Sequence, residues 1–455
     1  MTGLNSIEKR AAISLALVFG LRMLGLFMIM PVFAIYGQDL IGYSPLWVGI
    51  AIGAYGLTQA CLQIPMGMLS DRYGRKLIIL IGLVIFCIGS LVAAYAESVE
   101  GVTIGRAIQG MGAIASTILA LAADVTRDEQ RPKVMAIIGM CIGLSFAVSL
   151  IVGPILVESI GLSGLFKLTS GLAILGMLVV LFIVPNVVSK APKGDTRAAP
   201  ELIKDMLKDG QLLRLDVGIF VLHLVLTSIF VVLPLMLLEL DFPSTDHWHL
   251  YFPTLMLSFF FMVPLIIIGT KNESMKQMYR LALLMLASSL VMMFVLQHSF
   301  IGLFAAVVLF FTAFNYLEAS LPSLIAKFAP AGQKGTAMGI YSSSQFFGAF
   351  WGGILGGVFY QYLGLGGVFA TSTLLVLLWW VYSAGMINPK VVKSYTLDAN
   401  VTDNESAQAM VSKLLELSGV VDAVVIVDDK AAYLKVDAKR FNLPNARDVL
   451  HGLAS

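Results

Sequence analysis

Charge is what this sequence has least of. Only 13% of its 455 residues are Asp, Glu, Lys or Arg, against about a quarter in ordinary soluble domains. That scarcity excludes a disordered chain, a coiled coil and nearly every kind of soluble enzyme. The formal net charge is only +2, so no basic field points to a nucleic-acid partner. Cysteine is as sparse. Cys61, Cys87 and Cys141 all lie in apolar runs without metal-ligand spacing, which excludes a disulfide scaffold and leaves them as small packing residues. No Gly-x-x-x-x-Gly-Lys-Ser/Thr phosphate loop occurs, so ATP is not an energy source supplied by this chain. Nor is there a nucleophile with a base, or a paired set of metal ligands, and the chain is not expected to be an enzyme. What remains is a chain that is 58% hydrophobic, and it reads as an integral membrane protein.

A bilayer-crossing helix needs roughly 20 apolar residues. Such stretches fall at 11–37, 45–69, 77–96, 99–125, 133–157 and 162–185, and again at 215–238, 251–270, 279–297, 300–326, 334–361 and 366–388. The expected fold is therefore all-α, with twelve spans in two six-helix bundles, 1–185 and 215–388, joined by a polar linker at 186–214. Within the linker, PELIKDMLKD predicts one interfacial helix at 200–209. Alternate loops carry the cations: Arg72, Arg75 and Lys76; Arg127, Arg131 and Lys133; Lys271, Lys276 and Arg280; Lys327 and Lys334. The intervening loops carry Asp39, Glu97, Glu100, Glu158, Glu239, Asp241 and Asp246 and no Lys or Arg. By the positive-inside rule the basic loops, and with them both termini, face the cytoplasm.

The halves also share sequence. Gln130-Arg131-Pro132-Lys133-Val134-Met135-Ala136-Ile137 recurs as Gln333-Lys334-Gly335-Thr336-Ala337-Met338-Gly339-Ile340, each copy opening a span after a basic loop. Transporters duplicated in this way place their site between the halves, near the midplane. After Pro389 the composition turns soluble. VVKSYTLDA, VVDAVVIVDD and AAYLKVDA alternate as strands, and ESAQAMVSKLLELSG and NARDVLHGLA have helical spacing. The order βαββα predicts a small cytoplasmic α+β domain of ferredoxin-like type over 389–455. It contains no cysteine, which excludes metal binding by thiolate there. Val420, Val421, Val424 and Val425 make one strand apolar enough to need cover on both faces.

At the end of the second span stands Gly67-Met68-Leu69-Ser70-Asp71-Arg72-Tyr73-Gly74-Arg75-Lys76, and the fourth contains Arg106-Ala107-Ile108-Gln109-Gly110-Met111-Gly112. These resemble the first and second signatures of the major facilitator superfamily, in its drug/proton antiporter branch. The resemblance covers residues 1 to about 388. It implies a multi-pass protein of the bacterial inner membrane that exports small molecules, multidrug efflux included, against proton entry by alternating access. It implies no cofactor beyond the proton gradient, and a conformational latch built from Gly67, Asp71, Arg75 and Asp124. Protons, a small-molecule substrate and membrane lipids are the expected partners. The chain is expected to be monomeric, with the tail domain regulating it by self-association or by docking on the linker. Two departures bear on antiport. Of the fifth-span Gly-x-x-x-Gly-Pro-x-x-Gly-Gly pattern only Gly153-Pro154 survives, with Ser149 at the first glycine, and GTKNESMKQM in the second half keeps little of the first signature. A transporter-derived sensor that signals through the tail is the contrasting class.

Ionisable groups inside a bilayer are costly, and so they are functional candidates. Arg22 lies about a dozen residues past Arg10, roughly 18 Å deep at the helical rise. Arg106 lies nearer the far end of its span, where a structural bond to helix carbonyls is an equal alternative. His223 on span seven and Glu318 on span ten lie at similar depth, roughly 12–15 Å from their cytoplasmic ends. A carboxyl and an imidazole that meet can share or pass a proton. Glu318 is thus the expected protonation site with His223 its partner, and a pair that merely fixes the two spans is the alternative. Gln59, Gln63, Gln109, Asn315, Tyr316 and Gln345 are further polar candidates, each as suited to joining helices as to binding substrate. His247 and His249 stand at i,i+2 in a short loop, which is poor metal spacing.

Overall fold

The computed structural model describes residues 3–127, 130–186, 200–271, 274–388, 392–399, 401–427, 429–437 and 440–450. In a bilayer only bonds within the segment satisfy the backbone, so long apolar runs become helices. The first half comprises α1 (Ser6–Phe27), α2 (Met30–Tyr36), α3 (Pro45–Tyr73), α4 (Arg75–Ala94), α5 (Val99–Met111), α6 (Ala115–Asp124) and α7 (Arg131–Phe182). After the short α8 (Pro200–Met206) come α9 (Gly210–Glu239), α10 (Trp248–Lys271), α11 (Met275–Val295), α12 (Phe300–Phe328) and α13 (Lys334–Tyr382). The helix expected at 200–209 is α8. The seventh span starts at Gly210, inside the expected linker, of which 187–199 lies outside the described residues.

Ten helical stretches among the described residues are long and apolar enough to cross a membrane. Two of them have 50 and 52 residues, about 75 Å of helix against a hydrocarbon core of about 30 Å. Each holds one glycine with left-handed backbone, Gly161 (φ 67°) in α7 and Gly364 (φ 63°) in α13, a conformation that side-chain-bearing residues avoid. The chain reverses there. Ser145 and Thr169, on the two arms of α7, bond the carbonyls of Gly20 and Gly25 at 3.0 and 3.1 Å. Along a straight helix those two side chains would stand about 36 Å apart, while their partners on α1 are about 8 Å apart. With two of the ten stretches doubled, the crossings are the twelve expected, but the short gaps after spans five and eleven are single-glycine turns. Two expected spans are instead broken. The first divides at Met28–Ile29 into α1 and α2, and the fourth at 112–114 into α5 and α6.

Leu15, Phe86 and Ile118 are fully buried in the first half, and Ile219, Phe310 and Trp379 in the second. The halves meet along α3 and α13, where a Cβ on Gly49 would stand 2.0 Å from the carbonyl of Gly353. Only small residues let two backbones approach so closely. Polar bonds join the halves at the acidic-loop end, Tyr36 to Ser244 at 2.9 Å and the Leu46 N–H to Gln361 at 3.3 Å. Farther in, Phe146 of α7 meets Phe230 of α9 and Phe311 of α12, both at 6.3 Å between ring centres.

The tail consists of β1 (Val392–Asp398), α14 (Asn404–Glu416), β2 (Val420–Ile426), β3 (Ala431–Asp437) and α15 (Leu443–Leu450). Asp403 caps α14, accepting from the Ser406 N–H at 2.7 Å, as a carboxylate at a helix start does. The sheet order is β1-β3-β2, and β3 runs antiparallel to both neighbours.

Candidate functional site

Helix α9 contributes His223, α12 Glu318 and α13 Gln345, and the three side chains meet. The Gln345 amide Nε2 lies 2.8 Å from His223 Nε2 and donates to Glu318 Oε1 at 3.2 Å. His223 Nε2 and Glu318 Oε2 are 3.8 Å apart. An amide N–H can only donate, so in this arrangement the imidazole Nε2 accepts and carries no proton. A proton on that nitrogen would displace the Gln345 bond and leave the ring facing the carboxylate. The three groups therefore compete for few bonds. Two atoms have no partner among the described residues, His223 Nδ1 and Glu318 Oε2. The Glu318 side chain is 37% exposed and that of His223 14%, while the two unpartnered atoms themselves are buried. Phe314, one turn before Glu318, lies beside the imidazole at 5.8 Å between ring centres.

The other membrane-buried candidates lie elsewhere. Arg22 is fully buried in the first half and donates to Gln59 Oε1 at 2.8 Å and to the Gly112 carbonyl at 2.9 Å. That carbonyl is free because the helix breaks between α5 and α6. Gln59 also donates to Gln63 at 2.7 Å. Arg106 bonds Gln109 at 3.0 Å and the carbonyl of Ala51 at 3.4 Å, and Gln109 in turn donates to Ser90 at 2.8 Å. Tyr55 lies between the two arginines, 5.8 and 5.3 Å from their guanidinium carbons. Arg22, Arg106 and Gln109 thus form a buried network within the first half, apart from Glu318. Asn315 donates to Ser258 at 2.9 Å and ties α12 to α10. His247 and His249 each face a backbone carbonyl, of Phe242 and Asp246, at 3.1 Å.

The four residues of the expected latch gather at the basic-loop end. Arg75 reaches Asp71 at 2.5 Å and Asp124 at 3.1 Å, and also donates to Ser70 at 2.6 Å. Asp71 and Asp124 belong to different helices, α3 and α6, so one guanidinium holds both. Gly67 lies beside Ser116 of α6. Beside this cluster, Glu8 is 1% exposed and accepts from Arg127 side-chain nitrogens at 2.8 and 2.9 Å. Sequence reasoning missed that pair. Asn5 and Glu8 carry the spacing of a capping box, which the structure forms, but the cap gives no hint of Arg127. Asp216 of α9, 6% exposed, with Oδ1 unpartnered among the described residues, was also missed; only its position in an apolar helix could have marked it.

Comparison with known proteins fits this geometry. Residues 15–311 match the family model described as Major Facilitator Superfamily. The inner membrane transport protein YajR of Escherichia coli K12 is 41% identical over 444 residues, 96% of this chain and 97% of that protein. An uncharacterized transporter of Buchnera aphidicola subsp. Schizaphis graminum is 35% identical over 84% of this chain and 97% of its own. Among solved structures, a D-xylose–proton symporter shares the fold at a TM-score of 0.67 and 14% identity, over 84% of this chain and 97% of that one.

Proposed function

The chain belongs to the major facilitator superfamily, and from that premise we propose that it is a proton-coupled exporter of a small molecule working by alternating access. Glu318 is the protonation site, His223 its partner, and Gln345 the donor that passes between them. The observation that carries this reading is the three-way contact among α9, α12 and α13. A carboxylate beside an unprotonated imidazole nitrogen can take up a proton, and Gln345 must then rearrange. Because Gln345 rides on α13, the helix packed across the halves on α3, that rearrangement reaches the interface. Antiport of drug-like molecules rests on the two signature motifs alone.

The loop charges support cytoplasmic termini and an inner-membrane setting. In that orientation the Gly49–Gly353 crossing and the Phe146 cluster close the halves toward the outer side, which supports reading this arrangement as an inward-facing state. Arg75 then keeps Asp71 and Asp124 within the first half, and the latch across the halves belongs to the outward-facing state. The tail sheet order β1-β3-β2 among the described residues supports a ferredoxin-like reading of this domain, which serves a regulatory role. No cofactor enters; the proton gradient supplies the energy.

The test uses purified protein in liposomes loaded with pyranine and challenged with ethidium. Wild type is expected to move protons as the dye moves. Glu318→Gln should cut that proton movement at least about tenfold, the size expected when a positioned proton-transfer group is lost, and His223→Ala should reduce it less. Unaltered coupling in both variants would sink the assignment.

A further inference from the structure

Strand β3 is buried on both faces although α14 and α15 cover only one. Ala432, Leu434 and Val436 point into the core beneath the helices. The alternate residues Ala431, Tyr433 and Lys435 point the other way, as the period of two requires. They are covered by the turn between α12 and α13. Lys435 is only 5% exposed. Its Nζ donates to the Lys327 carbonyl at 2.8 Å and also to that of Ala329. Asp422 on β2 accepts the Ala331 N–H at 2.8 Å. Ala331 packs with Ala431 and Tyr433, with Val424 and Ile426 beside them. Gly332 fits because it has no side chain: its φ is +73°, and a Cβ there would meet Val424 at 2.8 Å.

These contacts satisfy a specific need. Helix α12 ends at Phe328, and the last carbonyls of a helix lack partners within it. An ammonium placed there bonds those carbonyls and complements the negative end of the helix dipole. A lysine removed from water must in turn have its donors used. The two helices held by this turn carry Glu318 and Gln345, each about 15 Å from it along its axis.

We propose that Lys435 and Asp422 are positioning residues for transport: the tail sheet braces the α12–α13 turn and so sets Gln345 against Glu318. The role in coupling rests on the assignment of Glu318 above, whereas the brace itself does not. The second face of the sheet is covered by the turn at 329–333.

The test compares full-length wild type with Lys435→Met, Asp422→Asn and Lys435→Arg in lipid nanodiscs by amide hydrogen exchange. Methionine keeps the length and bulk of lysine but not its donors. In Lys435→Met the amides of 328–333 should exchange about tenfold faster, with faster exchange around 318 and 345. Asp422→Asn should loosen the same turn less, and Lys435→Arg should lie closer to wild type than Lys435→Met. Protection retained across β3 shows that the tail is still folded. In the pyranine assay the Lys435→Met variant should shift the pH profile of ethidium-driven proton movement. Unchanged exchange at 328–333 would overturn the brace. A loosened turn with exchange around 318 and 345 unchanged would overturn the positioning role. If Glu318→Gln leaves coupling intact, the functional assignment falls, while exchange at 345 in Lys435→Met still decides the brace.

Discussion

In the first half, Arg22 and Arg106 end on carbonyls and amides of their own bundle, and Glu8 is held by Arg127. In the second half, Glu318 and His223 share one amide and leave two polar atoms unbonded among the described residues. Arg22 too leaves its Nε and Nη1 unpartnered among the described residues, so the contrast lies in the groups themselves: permanent cations in the first half, a carboxyl and an imidazole that can exchange a proton in the second. The two unbonded atoms of the second half are themselves buried, and only a change of hydrogen-bond partner can satisfy them. Buried polar groups are costly unless satisfied, so a half-satisfied trio is maintained where change of partner is useful. On the function proposed above, the first bundle serves as scaffold and latch and the second as the proton site.

Three stability measurements would break or sharpen that contrast. The largest loss is expected for Arg22→Ala, which takes the donor from the Gly112 carbonyl, removes one of the two donors to Gln59 Oε1 and leaves a void, and should cost about 3 kcal/mol in detergent unfolding. Arg75→Met comes next. It strands Asp71 and Asp124 near each other, and since both keep some solvent contact the loss should be about 2 kcal/mol. Glu318→Gln should change stability least, by about 0.5 kcal/mol or less, because the amide fits the same space and its oxygen can still accept from Gln345. Should Glu318→Gln unfold more readily than Arg22→Ala, the assignment of scaffold and working halves would be reversed.

Hydrophobic run length made the spans legible, since nothing but a helix can carry such a run through lipid. It did not reveal the breaks at Met28–Ile29 and 112–114, although Pro31 in the first turn of α2 and Gly112 directly after α5 are local signals for them. The repeat at 130–137 and 333–340 marks the starts of α7 and α13, and Gly161 and Gly364 stand at equal distances from those starts. That second correspondence was present in the sequence and becomes visible once the turns are known. At the site, depth counting brought Glu318 and His223 together because axial rise is fixed per residue. Depth says nothing of azimuth, and so Gln345 was one of six polar candidates, and it gave no sign that Arg22 and Arg106 bond within the first half, apart from Glu318. For the tail, the valine-rich strand was expected to be covered on both faces, but Val421 of β2 is exposed and the strand buried on both faces is β3. Which segment covers it depends on Asp422 and Lys435, two charges that read as solvent-exposed until β2 and β3 are paired.

The glycine reversals at Gly161 and Gly364 leave almost no polypeptide standing proud between the spans they join. That face of the protein offers little for an antibody loop to grip or a protease to cut at those two places. An epitope inserted at either glycine would have to split a hairpin whose arms share the same packing partners. Reporter tags and conformation-selective binders are better directed to the opposite face, where the basic loops and the folded tail supply the accessible surface.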